Sequence, residues 1–231
     1  MGGYYRDHLL GSDLQRVYEI ASPRIRQYLR AEIQHVVERV RGSGRVLELG
    51  CGYGRVLGEI APHVGRAIGV DIARENLRAA QSHLRALPNC DLVLMDAVAL
   101  GFPDAELDAT ICVQNGISAF RVDPLRLVAE AIRVTKEGGR ILFSTYSSRI
   151  WADRLEWFRS QANAGLVGAI DESQTREGII VCRDGLRLTT ASPDVLRALF
   201  ADLGQSARVY EIDDSSVFVE VTKREPSARS R

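Results

Sequence analysis

The spacing of hydrophobic positions divides the chain into a helical N-terminal part and a longer alternating part. Between residues 14 and 41, apolar side chains recur every three to four positions, a pattern that predicts helix. Ser22-Pro23 splits this region into two helices, because serine caps a helix and proline fits its first turn. Gly42-Ser43-Gly44 then ends the second helix.

Short apolar segments alternate with amphipathic ones in the middle of the chain. Repeated strand–helix units of this kind specify a parallel sheet with helices on both faces. The predicted strands are Arg45–Leu49, Ala67–Asp71, Cys90–Met95, Leu107–Val113 and Arg140–Ser144. The predicted helices are Arg55–Ile60, Arg74–Leu87 and Pro124–Val134.

The pattern changes after the fifth strand. A helix is predicted over Arg149–Gln161, and Gly178–Thr190 resembles a two-stranded ribbon that turns at Asp184-Gly185. A further helix starts at Ser192-Pro193 and ends before Gly204. The last two predicted strands, Ala207–Ile212 and Val217–Thr222, are joined so closely that they must pair antiparallel.

These elements predict an α/β, Rossmann-like fold with a seven-stranded, mostly parallel sheet and an antiparallel last strand. N-terminal helices and a small inserted lid are expected to accompany it. The expected divisions are a helical cap (1–44), a core (45–148), an inserted helix and ribbon forming a candidate substrate lid (149–190), a helix and strand hairpin completing the core (191–223), and a disordered tail (224–231).

Composition narrows the class of protein. Lys+Arg and Asp+Glu are both 30, and this balance argues against nucleic acid as a partner. No apolar run suggests a signal peptide or a membrane helix, so no membrane partner is expected. The four cysteines form no CxxC pair and the histidines show no metal-ligand spacing. We therefore expect no metal site and a location in the reducing cytoplasm.

The segment VLELGCGYGRV, residues 46–56, joins the first predicted strand to its helix. Glycines at 50, 52 and 54 permit a tight turn and let a ligand approach the backbone closely. Dinucleotide-binding proteins use G-x-G-x-x-G at such a turn. Here the sixth position is Arg55 when the pattern starts at Gly50, and Leu57 when it starts at Gly52. The spacing therefore disfavours an NAD-dependent oxidoreductase.

Acidic and polar residues follow the later strands at the same edge of the predicted sheet. Asp71 ends the second strand, where a carboxylate can accept hydrogen bonds from ribose hydroxyls, and Ile72 is placed to pack on adenine. Asp96-Ala97, after the third strand, can meet the adenine amino group and ring. Gln114-Asn115, after the fourth strand, either lie near the reacting group or form an ordinary Asn-Gly turn with Gly116.

Together these stretches resemble the class I S-adenosylmethionine-dependent methyltransferase family, in a small-molecule, uncharacterised subgroup. The resemblance rests on VLELGCGYGRV, AIGVDIA, LMDAVAL, FPDAELDATICVQNGI and IRVTKEGGRILFSTY. It implies six parallel strands with the last antiparallel, S-adenosylmethionine as cofactor and S-adenosylhomocysteine as product. The resemblance implies a cofactor site at Glu48, Gly50, Gly52, Gly54, Asp71, Asp96 and Ala97. Position along the chain adds Cys51, Ile72, Gln114 and Asn115 as further candidates for cofactor binding.

Candidates for catalysis and acceptor binding lie outside those motifs. Tyr146 follows the fifth strand, at the edge where open α/β sheets bind ligands. Tyr5 and His8 belong to the unusual N-terminal segment YYRDHL and are catalytic candidates, while Tyr4 is a candidate contact to the acceptor. Trp151 starts an apolar stripe on the helix after Tyr146 and is a second candidate contact, although core packing explains such a stripe equally simply.

The leading hypothesis is methyl transfer by in-line displacement to an O, N, S or C nucleophile of a small molecule. The partner would be that acceptor, and the protein would be a monomer or a homodimer. The alternatives are a methyltransferase of RNA or protein, and a cofactor-binding module without turnover. The sequence does not identify the acceptor.

Overall fold

A central sheet of seven strands carries the structure. The computed structural model describes residue 4 and residues 8–224. The sheet contains β1 (Arg45–Leu49), β2 (Arg66–Asp71), β3 (Cys90–Leu94), β4 (Leu107–Cys112), β5 (Thr135–Tyr146), β8 (Arg208–Ile212) and β9 (Ser216–Thr222). A separate two-stranded ribbon consists of β6 (Ile179–Val181) and β7 (Arg187–Thr189).

Helices lie between the strands and at the N-terminus. They are α1 (Ser12–Glu19), α2 (Pro23–Val40), α3 (Arg55–Ile60), α4 (Arg74–His83), α5 (Gly116–Ala119), α6 (Pro124–Val134), α7 (Trp151–Asn163) and α8 (Pro193–Ala201). The predicted break between the first two helices is confirmed, because the Ser22 hydroxyl accepts from the Ile25 N–H at 3.2 Å and Pro23 opens α2. No helix in the described part of the chain is long and apolar enough to cross a membrane.

The strand order is β3-β2-β1-β4-β5-β9-β8. Strands β1 to β5 pair in parallel, whereas β9 runs antiparallel to both β5 and β8. Strand β8 is therefore parallel to β5, and β9 inserts between them. The predicted fold class is confirmed: six strands run one way and the last strand of the chain runs the other.

Two boundaries differ from the predicted ones by four or five residues, and the others by three or fewer. Helix α4 ends at His83, and the backbone turns through Leu84–Leu87, where the Leu87 N–H donates to the Leu84 carbonyl at 2.8 Å. Strand β5 begins at Thr135, five residues before the predicted start, because Thr135 already pairs with Leu107 of β4. The glycines near the start of β5 predict a turn, but pairing with β4 keeps this segment in the sheet.

Hydrophobic side chains among the described residues form three buried clusters. Two lie on the opposite faces of the sheet. The third joins the N-terminal segment to residues 146–188, and it packs Val17 and Ile25 against Trp157 and Phe158. The two regions outside the central alternating pattern thus share one hydrophobic core, which we call the cap. It stands beside the carboxyl end of β5, whose last residue, Tyr146, belongs to the same cluster.

Candidate functional site

The glycine turn lies at the carboxyl end of β1. Gly50 has φ +70°, and the N–H groups of Gly50 and Cys51 donate to the Val70 carbonyl at 2.8 and 2.9 Å. A Cβ at Gly50 would stand only 2.3 Å from the Cζ atom of Phe120, so the position has no room for a side chain. Sequence and packing therefore agree that bare backbone is required here.

Asp71 ties the end of β2 to this turn. One carboxylate oxygen accepts from the Gly52 N–H at 2.9 Å, and the other accepts from the Ala73 N–H at 2.8 Å. Burial raises the pKa of this carboxyl group, and the hydrogen bonds oppose that rise. The side chain lines a cavity of about 240 Å³, and each of its oxygens has further lone pairs for ligand hydroxyls.

The residues after β2 and β3 form one wall of the cavity. Ile72, Met95, Asp96 and Ala97 all line it. The Asp96 carboxylate accepts from the Val98 N–H at 3.0 Å, while Ile72 is 49% exposed. A large aliphatic side chain left this exposed beside an acidic loop offers a surface on which a flat ring can pack.

Glu48, an acidic residue, and Arg55, a basic one, both line the same cavity. Glu48 is buried on β1, burial raises its pKa to about 8, and its Oε2 has no hydrogen-bond partner among the described residues. The Arg55 guanidinium, at the start of α3, donates to Gln114 Oε1 at 2.7 Å and lies 4.7 Å from the Tyr18 ring centroid. In the sequence, Arg55 appears only as a position that breaks the G-x-G-x-x-G spacing. Its position in the cavity wall is therefore not predicted from the sequence.

The two residues after β4 have different positions. Gln114 lines the cavity, and its Oε1 also accepts from the Tyr18 hydroxyl at 2.8 Å. Asn115 is buried outside the cavity wall: its amide donates to the Thr189 carbonyl at 3.0 Å and accepts from the Thr145 hydroxyl at 2.7 Å. The Asn115 side chain thus bridges β5 and the ribbon and does not line the cavity.

The other half of the cavity belongs to the cap. The Trp157 N–H donates to the Val17 carbonyl at 3.0 Å and so fastens α7 to α1. Buried Gln161 follows one helical turn later. The cap residues that line this half are Leu9, Leu14, Val17, Tyr18, Tyr146, Trp157, Phe158 and Gln161. The lining is therefore mostly apolar and aromatic.

The sequence-predicted catalytic candidates separate in space. Tyr146 lines the cavity, and burial raises its pKa to about 12, so its phenol is protonated at neutral pH. Tyr4 is buried instead against the ribbon, where its hydroxyl donates to Asp184, and its ring stacks on exposed His8 at 4.6 Å between ring centroids. Neither Tyr4 nor His8 lines the cavity. Tyr5 lies outside the described residues.

Trp151 also lies away from this cavity. It lines a neighbouring depression of about 790 Å³, together with Arg154 and Thr190. The apolar stripe predicted from Trp151 does reach Phe158, but the cavity meets the C-terminal half of α7, at Trp157, Phe158 and Gln161. Helical spacing predicts the faces of a helix, whereas packing against α1 determines which part of α7 lines the cavity.

A comparison with known families identifies the core. Residues 46–139 match a family model described as a methyltransferase domain. The matched core is a methyltransferase domain, and the relatives and solved structures described below support a class I S-adenosylmethionine-dependent methyltransferase. The matched residues span β1 to the start of β5 and include the glycine turn, Asp71 and Asp96.

Relatives of this methyltransferase cover different shares of its length. A fatty-acid O-methyltransferase of Mycolicibacterium smegmatis is 29% identical over 217 residues, which are 90% of this chain and 76% of that protein. A malonyl-[acyl-carrier protein] O-methyltransferase of Methylococcus capsulatus is 33% identical over 116 residues, 49% of this chain and 42% of that protein. Among several other curated relatives the chain spans between 30% and 53% of their length.

The solved structures show the same fold. A SAM-dependent methyltransferase from Aquifex aeolicus aligns with a TM-score of 0.63 at 16% sequence identity, covering 90% of this chain and 96% of that chain. The alignment extends well beyond the matched core, so the methyltransferase fold includes the C-terminal strands.

The residues at the turn fit the family's cofactor, S-adenosylmethionine. The bare backbone at Gly50 leaves room for a close ligand, and Asp71 offers acceptors for ribose hydroxyls. The unpartnered Glu48 Oε2 is an acceptor for an ammonium group, which the amino-acid part of the cofactor carries. An acidic and glycine-lined half of this kind suits a cationic nucleoside better than a pyrophosphate.

Proposed function

We propose that this protein transfers a methyl group from S-adenosylmethionine to a small molecule with an apolar body. The observation that carries the proposal is the shared cavity. The glycine turn and Asp71 form one half of it, and aromatic residues of the cap form the other half. A donor held in the first half therefore faces an acceptor held in the second.

In the cofactor half, the backbone at Gly50 and Gly52 would receive the amino-acid part of the cofactor, with Glu48 on its ammonium group. Asp71 would bind the ribose hydroxyls, while Ile72, Asp96 and Ala97 would hold adenine. Gln114 lies between this half and the cap, where Tyr18 and Arg55 fix the orientation of its amide.

The cofactor, when bound, supplies a methyl group that is activated by its positively charged sulfur. The protein's own contribution is alignment and exclusion of water by Tyr18, Trp157 and Phe158, which are packed together in the cap. Holding two reactants in line corresponds to effective concentrations of ~10⁵–10⁸ M, or roughly 7–11 kcal/mol of the barrier. Positioning of this kind requires no catalytic triad.

Two observations support a small acceptor over RNA or a folded protein. The acceptor half is lined by residues of α1 and α7 within a cavity of about 240 Å³, a size that suits a compact group. One relative, matching 90% of this chain, is named a fatty-acid O-methyltransferase, and a fatty acid is a small molecule.

Calorimetry with S-adenosylmethionine tests the cofactor half. We expect micromolar binding to the wild type and a loss of about 100-fold or more in Asp71→Ala, because a buried carboxylate with charge-assisted hydrogen bonds is removed. Asp123→Ala is the matched control, since Asp123 also accepts from a backbone N–H but lies at the start of α6 outside the cavity. Absence of binding to the wild type would refute the proposed function.

Isotope-labelled S-adenosylmethionine and pooled metabolites test turnover. Mass spectrometry should find the label in a small acceptor and should find S-adenosylhomocysteine in equal amount. Binding without transfer to any acceptor would instead favour a cofactor-binding module. Label found only in RNA or protein would move the acceptor out of the small-molecule class.

A further inference from the structure

The aromatic rings of the acceptor half already hold positive charges that belong to the protein. The Arg55 guanidinium lies 4.7 Å from the Tyr18 ring centroid. Arg154 lies 4.0 Å from the Tyr146 centroid and 5.8 Å from that of Phe158. Aromatic faces attract cations, and here two guanidinium groups of the protein already lie over these faces. Arg55 lines the cavity, whereas Arg154 lines the neighbouring depression, so an ammonium acceptor would meet a like charge at Arg55 and an anion would meet an opposite one.

Gln161 adds a hydrogen-bond donor to this half. It is 2% exposed and lines the cavity, and its Nε2 has no hydrogen-bond partner among the described residues. A buried donor without a partner destabilises a protein unless a ligand satisfies it. Tyr18 connects Arg55 to the helix that carries Gln161. The Arg55 guanidinium lies over the Tyr18 ring, and the Tyr18 ring centroid is 6.1 Å from that of Trp157. Trp157 lies one helical turn before Gln161.

The cavity offers little to remove a proton from the acceptor. Of the described residues that line it, none is histidine or lysine. Burial raises the pKa of Tyr18 and brings those of Tyr53 and Tyr146 to about 12, so these phenols stay protonated. The Asp71 and Asp96 carboxylates accept from backbone N–H groups in the cofactor half, and Glu48 belongs to the same half. An acceptor that is already ionised has no proton to lose, so it needs no base from these residues.

We infer that the acceptor is a carboxylate on an apolar body, with its charge balanced by Arg55 and one oxygen bound by the Gln161 amide. This inference rests on the proposed function and adds the class of acceptor. A carboxylate oxygen forms the new bond to the methyl carbon, while the carbon–sulfur bond breaks and its electron pair stays on sulfur. The products are a neutral methyl ester and a neutral thioether, and no proton is released.

Matched ligands test the inference on the protein without cofactor. Octanoate and 3-phenylpropanoate are compared by calorimetry with octylamine and 3-phenylpropylamine, and with the corresponding alcohols. Each set shares one apolar body and differs only in the head group. We expect the acids to bind at least about tenfold more tightly than the amines, because a charge-assisted hydrogen bond replaces a like-charge contact. With labelled cofactor, the acids should yield methyl esters.

Two glutamine variants separate recognition from stability. Gln161→Leu should weaken acid binding about tenfold and leave cofactor affinity within about twofold. It should also raise Tm by about 2–4 °C, because an unpartnered buried amide is removed. Gln205→Leu is the control: that buried amide is fully hydrogen-bonded to Arg224, far from the cavity, so Tm should fall and acid binding should not change.

Each result decides a different claim. Acid preference that is lost in Gln161→Leu supports the inference. Equal or tighter binding of the amines, tighter binding of the alcohols, or no binding of either acid at millimolar concentration would overturn it. The proposed function would survive that result if S-adenosylmethionine still binds, because the head-group comparison is made without cofactor.

Discussion

The two halves of the cavity are built by different means. The cofactor half comes from chain segments that directly follow β1, β2 and β3, and backbone geometry defines it: positive φ at Gly50 and N–H groups held by Asp71. The acceptor half comes from α1 and α7, which are far apart in the sequence and meet through side chains such as Trp157 on the Val17 carbonyl. A backbone site is recognised from a short motif, whereas a side-chain site depends on packing between distant segments.

The halves also differ in charge. Asp71 and Asp96 line the cofactor half, which suits a cationic donor. Arg55 and Arg154 lie over the aromatic rings of the acceptor half. Opposite charges on facing sides favour a cationic donor on one side and an anionic acceptor on the other. Changes in one half should therefore leave binding in the other half nearly intact.

Gly50→Ala should have the largest effect, and it should fall on the cofactor half. A positive φ costs an alanine about 1–2 kcal/mol, and displacing the Phe120 ring adds about 1–3 kcal/mol. Because the ring would be forced into the cavity, we expect cofactor affinity to fall by about 100-fold or more, as measured by calorimetry.

Gly138→Ala is its matched control. Gly138 has φ +72°, close to the +70° of Gly50, but a Cβ there meets nothing within 4 Å. We expect a stability loss of about 1–2 kcal/mol with unchanged cofactor affinity. Equal effects of both variants on cofactor binding would show that backbone strain, and not the contact with Phe120, decides the result.

Trp157→Phe should act mainly on the acceptor half. It removes the hydrogen bond to Val17 and part of the aromatic wall, so we expect a stability loss of about 1–2 kcal/mol and about tenfold weaker binding of 3-phenylpropanoate. Cofactor affinity should stay within about twofold. Trp151→Phe, on the same helix but outside the cavity, should not change binding of either ligand. A stronger effect at Trp151 would contradict this geometry.

The difference between a site defined by backbone geometry and one defined by side-chain packing also explains how much could be predicted from the sequence. The strand and helix order, the parallel pairing and the antiparallel last hairpin followed from hydrophobic spacing and loop length, and the structure confirms them. The early start of β5 was missed because Thr135 is held by pairing with Leu107 and not by its own local pattern.

The cofactor motif was visible as glycines and an acid at fixed spacing, although which atoms of the cofactor they contact stays a prediction. The acceptor half was largely missed. The contact between Trp157 and Val17 joins residues separated by 140 positions, and helical periodicity carries no information about such a pairing. Arg55 was overlooked for a related reason: its role depends on the Tyr18 ring from another helix.

Glu48 makes stability depend on pH. Burial raises its folded-state pKa to about 8 from 4.5, so the folded protein keeps a proton that the unfolded chain has lost. Stability should therefore fall as pH rises from 4.5 to about 8. In denaturant titrations, Glu48→Gln should reduce this pH-dependent loss of unfolding free energy by an amount on the order of a few kcal/mol. Part of the loss should remain, because the pKa values of Glu32 and Asp71 are also raised.

Glu130→Gln provides a control of opposite sign. The Arg133 guanidinium lowers the pKa of Glu130, so its contribution is present above the unfolded pKa and is lost as pH falls. The Glu130→Gln variant should therefore be weakened at neutral pH and approach the wild type in acid. If Glu48→Gln shows the same trend, its carboxyl group is ionised in the folded protein and the assignment of a raised pKa is wrong.

Ile72→Ala should have the smallest effect and should separate ligand contact from folding. Because Ile72 is 49% exposed, its loss should change stability by less than about 0.5 kcal/mol. Packing against adenine would bury part of the side chain, so cofactor affinity should fall about fivefold, or about 1 kcal/mol. Leu125→Ala, at a similarly exposed position outside the cavity, should leave affinity unchanged. If Ile72→Ala also leaves calorimetric affinity unchanged, adenine does not lie on this residue, and the adenine contact shifts to the loop at Asp96.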